Sequence, residues 1–586
     1  MPEPIRYRVD LGDRVQHLVR VTVAIPDDVE EPRVALASWT PGSYTIRNYA
    51  RHIQWIAACD ARGDDLELVP DGLGAWTVPA ASGPVTIQWE LYANELTVRT
   101  NHVDDHHALL IPAATFLLVD GCRDRTHVVA FDEVEDPVWS LLTGGDEDDT
   151  YVADDFDHLV DSAFEVGDFP HVDYEVGGVP HRFVWAGHGP PPPLDRVADD
   201  CAAIGEAAVR LLDGDLPTER YTLLCVGWDS AAGGGGLEHR DGAVLMFPVP
   251  QTREPDKYAR FQRLVAHEYL HLWNVKRLVP AALTRPDLTQ PTHTTSLWVA
   301  EGWTDFYDDL LALRAGVWEL ERFLVSQMEL IEKVTRTPGA AYQSVRQASY
   351  EAWIKLYLRD ENTPNVGVNY YGHGALLAWS LDLLIRAEDP DGPGLDGALR
   401  LLWSRFGGSP DGYTEPDVEA AVAEVAGRDL SDFFERHVSG TELPPIEDLL
   451  DVVGLEITEK DTDAPPPPDL GIETSDDERG VVISHVLRDG PAWDAGLTGG
   501  DRLLAIDGLT VGADEFDAVL RRYAEGDEVD ATVSRGPRVL RLEVQLGSPR
   551  PARQLTAVPD PSETQRTAFE RWTGHDLADV PGPDGD

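Results

Sequence analysis

Two histidines four positions apart, with a glutamate directly after the first, stand near the middle of this 586-residue sequence: His267-Glu268-Tyr269-Leu270-His271. On a helix, residues i and i+4 share a face, so His267 and His271 can present both imidazoles to one Zn²⁺. Glu268, one residue on, is angled to reach a water beside the metal, which is the place of a general base. The same pattern also arises by chance, with both histidines as ordinary, partly buried polar residues. A zinc peptidase reading therefore needs a third ligand, a helical setting and a place for substrate.

Ser296 to Tyr307 opens another helix, and Glu301 stands 30 positions after His271 within W-x-x-E-G-W. A Glu on a following helix can complete a site of three protein ligands, leaving one position for water. Asp305, one turn later, can take the free N–H of a ligating imidazole. A solvated helix face is the plain alternative for both acids, and the upstream H-E-x-x-H argues against it. Gly233-Gly234-Gly235-Gly236-Leu237-Glu238-His239 is either a flexible loop or a close approach of backbone to ligand, with Glu238 at the rim. In Asn369-Tyr370-Tyr371-Gly372-His373-Gly374, a tyrosine at a helix start can donate to an oxyanion, although paired aromatics are as readily core. Asn101–His107 is rich in histidine, but its spacing fits no common zinc pattern. It reads as a polar loop leading into the next apolar strand.

The elements that must position these residues follow from periodicity. From Ile5 to about Val166, apolar and polar residues alternate between turn signals, which predicts an all-β sandwich. Trp39–Ile53, dense in aromatics and arginines around Pro41-Gly42, reads as a strand–turn–strand within it. After the stiff Gly187–Pro193 linker come a helix over Asp195–Leu212, a buried strand over Tyr221–Val226 and a central helix from about Lys257 through Trp273. Helical periods then occupy Leu395–Phe406, Glu415–Val425 and Leu430–Val438. Beyond a second stiff linker, Ala464–Asp469, the order of strand, G-P-A-x-x-A-G-L helix and G-D-x-L-x-x-I-D-G turn resembles a PDZ domain. Such domains accept an extended peptide by strand addition and hold its C-terminal carboxylate on backbone N–H groups; Leu470, Gly471 and Ile472 would be that loop. Ser548–Asp586 is acidic and Pro-rich around one short helical piece and is expected to be loosely ordered.

Asp and Glu number 104 against 48 Lys and Arg, for a net charge of −56. The acids are spread through segments that also carry apolar periodicity, so they coat a folded surface instead of forming a tail. A whole surface this acidic is tolerable where salt screens it, and points to a high-salt cytoplasm. It excludes nucleic acid as a partner by repulsion of phosphate. Cys59, Cys122, Cys201 and Cys225 have no C-x-x-C spacing and predict neither zinc knuckle nor disulfide framework. The N-terminus enters a strand pattern directly, and no apolar stretch is long enough to span a bilayer, so a cytoplasmic protein without membrane contact is expected.

The sequence resembles one family throughout: the glycyl-aminopeptidase family of zinc metallopeptidases with a C-terminal PDZ domain. The matching stretches are Trp39–Ile53, G-G-L-E-H at Gly235–His239, H-E-Y-L-H-L-W-N-V-K-R at His267–Arg277, W-V-A-E-G-W at Trp298–Trp303 and N-Y-Y-G-H-G-A-L at Asn369–Leu376. The resemblance implies a multidomain α+β fold: an N-terminal β-sandwich (1–166), a mostly helical thermolysin-like catalytic domain (167–446), a PDZ domain (447–547) and an acidic tail (548–586). It implies one Zn²⁺ on His267, His271 and Glu301, and N-terminal Gly or Ala removed from peptides with a free amine. Glu238 looks like the counterpart of the glutamate that related alanyl-aminopeptidases place on the substrate amine, and Tyr371 matches their oxyanion tyrosine by position. His373 replaces a common Lys, which leaves Tyr370 open beside Tyr371. A longer interval from His271 to Glu301 suggests an inserted loop, and His106–Pro112 is more apolar than the family pattern. The rival functions are a PDZ-assisted zinc endopeptidase in protein quality control, and a non-catalytic peptide-binding scaffold.

Overall fold

The computed structural model describes residues 2–79, 83–132, 134–146, 149–228, 234–462, 464–477, 480–512 and 515–582. The chain forms two compact units, one of residues 1–294, 307–318 and 400–414, the other of 295–306, 319–399 and 415–586.

In the first unit the expected β-rich N-terminal domain is present. Ile5, Tyr7 and Val9 are buried while the residues between them face outward, the period of a half-buried strand. Ile5–Asp10 lies at the heart of an eight-stranded sheet, parallel to His127–Asp132 and antiparallel to Leu18–Ile25. Two smaller sheets complete the domain. Trp39–Ile53 departs from the expected strand–turn–strand: it holds only an isolated Thr40–Ser43 bridge and a short helical turn at Tyr49–His52. The physical reason is that its aromatics are used elsewhere. The Trp39 indole N–H is shared by the carbonyls of Asp287 and Gln290, at 3.1 and 3.0 Å, so the segment is tied to a distant loop and pairs with no strand.

The same unit contains a five-stranded sheet. Val179–Gly187, Tyr221–Trp228 and Gly242–Pro248 run parallel, flanked by antiparallel His171–Val176 and Gly235–His239 at the two edges. The central strand is apolar continuously from Leu223 to Val226, as a strand covered on both faces must be. Helices Leu194–Leu212 and Pro255–Leu270 pack together against this sheet. Proline at the first position of Pro255–Leu270 suits a helix start, where its missing N–H costs nothing.

The second unit is helical around Tyr370–Glu388, which is buried on nearly all sides and so occupies its centre. A Cβ on Gly374 would meet the Trp298 carbonyl at 2.7 Å, so glycine there lets the Leu297–Ala300 turn approach this helix closely. The PDZ fold is also present: strands Ile472–Asp477, Gly480–Val486, Arg502–Ile506, Glu528–Arg535 and Arg538–Gln545 form a sheet over a core that includes Ile483, Ile506, Val533 and Val544. The C-terminal segment is not loose. Arg553–Ala557 pairs antiparallel with Leu455–Glu459, and Glu563–Thr573 is a helix closed by a Ser562–Gln565 capping box. Its aromatics explain the order: Trp572 is fully buried, stacking on Trp379 and meeting Phe323. Residues 455–459 thereby belong with the C-terminal strand and not with the PDZ sheet. Among the described residues, no helix is long and apolar enough to cross a membrane.

Candidate active site

Helix Pro255–Leu270 carries His267 and Glu268 in its last turn and hands over to His271, which caps it in helical geometry. The two imidazoles lie with ring centroids 4.8 Å apart and planes nearly perpendicular. Each has its Nδ1 engaged: His267 with Asp308 Oδ2 at 3.2 Å, and His271 with the Asn274 carbonyl at 2.7 Å. With Nδ1 engaged in this way, Nε2 of each ring is the nitrogen left for a metal. The Asn274 carbonyl is available because the chain turns back at the helix end, where the Asn274 N–H bonds the Leu270 carbonyl. A pair of oriented imidazoles with carboxylates close by suits Zn²⁺ in donor type and orientation.

Asp308 is a residue the sequence reading missed. It is 2% exposed, held by the Arg263 guanidinium at 3.0 Å, and is the carboxylate found on His267 Nδ1. The available signal was the stripe Glu301, Asp305, Asp308 at i, i+4, i+7, of which only the first two were used. Asp305 takes its backbone N–H to the Glu301 carbonyl, at 2.7 Å.

The glycine-rich strand Gly235–His239 lies at the sheet edge beside helix Pro255–Leu270. Its glycines admit a close approach, as one of the two readings held, although Gly233 lies outside the described residues. A Cβ at Gly236 would fall 1.9 Å from Glu268 Oε1 and 2.3 Å from its Cδ, so the Glu268 carboxylate occupies the space that a side chain would need. Two residues on, Glu238 is buried, and it converges with Glu268 and His271 so that one ligand atom from each lies within 4.8 Å of the others. Gly42, at φ +84°, comes against it from the N-terminal domain: a Cβ there would stand 2.5 Å from Glu238 Oε1. The Pro41-Gly42 turn of Trp39–Ile53 therefore shapes the Glu238 pocket, a role that the strand–turn–strand reading did not give it.

Lys276, buried, sits 2.8 Å from Asp161 and 3.8 Å from Glu238. Burial opposes ionisation of Asp161, but the Lys276 charge wins and holds its carboxyl well below the usual range. Asp161 therefore holds the Lys276 ammonium closely, and Glu238 is the more distant of its two carboxylates. A cavity of about 440 Å³ opens here, lined by Trp39, Tyr44, Asp161, Glu238, Lys276 and Leu288.

In the second unit, Glu301 is buried between Leu297–Ala300 and Gly302–Arg314. Tyr371 stands at the start of Tyr370–Glu388, where the Asn369 side chain accepts its N–H. Burial pushes the Tyr371 phenol well above its ordinary value, and the Glu301 charge pushes it further, so it stays a proton donor. Tyr370 is fully buried and stacks on Tyr371, and both hydroxyls lie 3.5 Å from Tyr357 OH, a third tyrosine that the sequence did not single out. In the PDZ domain, Leu470 is buried, and Gly471 takes φ +70° with its N–H on Asp469 Oδ1. Beyond Ile472, the edge strand is exposed along its length.

Three family models match the chain in order: the peptidase M61 N-terminal domain over residues 6–168, the M61 glycyl aminopeptidase over 260–377 and a PDZ domain over 468–546. Among solved structures, an aminopeptidase N family protein from Idiomarina loihiensis is 28% identical, with a TM-score of 0.91 over 97% of this chain and 100% of its own. An M1 zinc metallopeptidase from Deinococcus radiodurans reaches a TM-score of only 0.45 at 13% identity, over 75% of this chain and 94% of its own. No protein with curated annotation is similar enough to match. With its N-terminal, catalytic and PDZ parts each matched by a family model, the chain carries the domains of M61 glycyl aminopeptidases joined to a PDZ domain, and is a peptidase.

Proposed function

We propose that the protein is a zinc-dependent aminopeptidase that removes small N-terminal residues, Gly or Ala, from peptides. The observation that carries this reading is the convergence of Glu238, Glu268 and His271: a carboxylate for the substrate amine beside a base and a metal ligand. His267, His271 and Glu301 would hold one Zn²⁺, with Asp308 orienting His267 and Asp305 as a further carboxylate behind the ligands. When bound, Zn²⁺ supplies Lewis acidity, polarising a carbonyl oxygen and lowering the pKa of water to roughly 7. Glu268 takes the proton of the attacking water and returns it to the leaving amine. Tyr371 donates its O–H to the developing oxyanion. Glu238 pairs with the substrate ammonium, so the bond presented to Glu268 is the first of the chain.

The PDZ loop Leu470-Gly471-Ile472, followed by an exposed edge strand, favours capture of a peptide C-terminus by strand addition. We assign the protein to a high-salt cytoplasm on its net charge of −56.

The test compares a free-amine peptide with its N-acetylated form, using wild type and Glu238→Ala. Wild type should cleave the free amine at least tenfold faster, and Glu238→Ala should lose that preference. Equal cleavage of both peptides by wild type refutes the aminopeptidase reading in favour of an endopeptidase.

A further inference from the structure

We propose that His102, Asp104 and His107 form a second divalent-metal site, in the N-terminal β-rich domain, suited to a Zn²⁺-class ion. The stretch reads as a polar loop, but the structure makes Asn101–Val103 part of a strand and leaves only Asp104–His107 as the turn, because the hairpin pairing with Ala108–Leu110 extends to Val103, and this folding makes the side chains converge. Thr100–Val103 and Ala108–Leu110 pair as a hairpin, His102 opposite Leu109 and Val103 opposite Ala108. The Asp104 N–H closes the turn on the His107 carbonyl at 2.9 Å.

Within this hairpin the two oxygens of Asp104 have different uses. Oδ1 accepts the backbone N–H groups of His106 and His107, at 2.8 and 2.9 Å. Oδ2 is directed to imidazoles: His102 Nε2 at 3.1 Å and His188 Nε2 at 3.7 Å. One ligand atom from each of His102, Asp104 and His107 lies within 4.8 Å of the others. His188 stacks on His106 and supplies a candidate fourth donor from the neighbouring linker.

The second observation concerns His107. Its side chain is fully buried, and its Nδ1 meets the equally buried Glu165 Oε1 at 2.6 Å. A buried His–Glu pair explains that contact alone. It leaves His107 Nε2 and His102 Nδ1 buried with no hydrogen-bond partner among the described residues. Buried polar atoms are rarely left so, because each costs about 1–3 kcal/mol. A carboxylate on one imidazole nitrogen with the other held open is the arrangement that orients a histidine toward a metal. Two nitrogen donors and one oxygen donor suit Zn²⁺ and its transition-metal neighbours better than Ca²⁺ or Mg²⁺, which prefer oxygen alone. None of these residues belongs to the peptidase site.

The full-length chain, loaded with Zn²⁺ and dialysed, should carry two equivalents by elemental analysis. His267→Ala/His271→Ala should retain one, and adding His102→Ala to that variant should remove it. Anomalous diffraction at the zinc edge from Zn²⁺-soaked wild-type crystals, which needs no variant, should show a peak between His102, Asp104 and His107. A double variant without metal, or metal that survives His102→Ala, overturns the proposal, as does absence of that peak. If instead His267→Ala/His271→Ala fails to lower the metal content while the hairpin peak is present, the catalytic zinc assignment fails and this one stands.

Discussion

Replacing Gly236 by alanine tests the placement of Glu268, the proposed base, without changing the chemistry of its side chain. The added Cβ would lie 1.9 Å from Glu268 Oε1, 2.3 Å from Cδ and 2.6 Å from Cγ. Because three successive atoms of Glu268 are overlapped, a rotation of the carboxylate tip does not relieve the clash. Restoring ordinary contact requires Oε1 to retreat by about 1.5 Å, and misplacements of about 1 Å in a catalytic group cost on the order of 10²-fold. Complete loss of general-base help costs roughly 10²–10⁴-fold. Gly236→Ala should therefore lower kcat by about 10²–10³-fold, or roughly 3–4 kcal/mol in the barrier. KM should change little and metal content not at all, since the overlap involves neither histidine. Gly235→Ala is the control: a Cβ at that position meets nothing within 4 Å, and kcat should stay within about twofold. The assay is steady-state hydrolysis of an alanyl or glycyl chromogenic substrate, paired with zinc analysis and thermal melting of each variant. A folded, zinc-loaded Gly236→Ala with near wild-type kcat would refute the role of Glu268 as a fixed base.

Asp308→Asn should weaken zinc binding by about 10–100-fold, measured by competition with a chromophoric chelator, because the His267 ring loses its anionic partner. Burial lowers the His127 pKa to about 4, against about 6.5 in an unfolded chain. The unfolded state then binds the extra proton between these values, so this contribution is complete above pH 6.5 and is lost as pH falls through 4. It is worth up to roughly 3 kcal/mol, and His127→Gln should flatten the fall of Tm between pH 6.5 and 4. Stability should rise with added KCl from 0.1 to 2 M as the net charge of −56 is screened, and a salt-independent Tm would count against whole-surface repulsion.

The parts of the site that were legible in the sequence are those whose geometry is local. His267 and His271 share a helix face by spacing alone, and Glu301 and Tyr371 each sit at a recognisable helix start. The β-rich domain and the PDZ were legible from strand periodicity and turn residues. Contacts that depend on distant segments were not. Gly236 gives room to a glutamate 32 positions later, and Gly42 gives room to Glu238 from another domain. The His102–His107 hairpin converges only because its register turns the two rings and Asp104 together, with Glu165 brought alongside from the neighbouring strand. The order of the C-terminal segment was misjudged on composition: acidic and Pro-rich flanks around its helix hide Phe569 and Trp572, whose burial is a matter of partner and not of average polarity.

The pairing of Leu455–Glu459 with Arg553–Ala557 makes the PDZ domain a cassette. Its entry and exit run side by side, with Glu459 opposite Arg553 and Asp469 bridged to Gly547 beyond them. Truncation from the C-terminus cannot remove the cassette cleanly, because the strand and helix that follow it bury Trp572 against Trp379. Excision between the two paired strands can, and a short loop should suffice to rejoin ends already held adjacent. The cassette is also docked between its two strands: the Asn365 side chain donates to the Val486 carbonyl and accepts the Arg488 N–H, both at 2.8 Å, which pins the domain to the helices beside it. A peptide captured there, as proposed above, would be kept at high effective concentration in one fixed region.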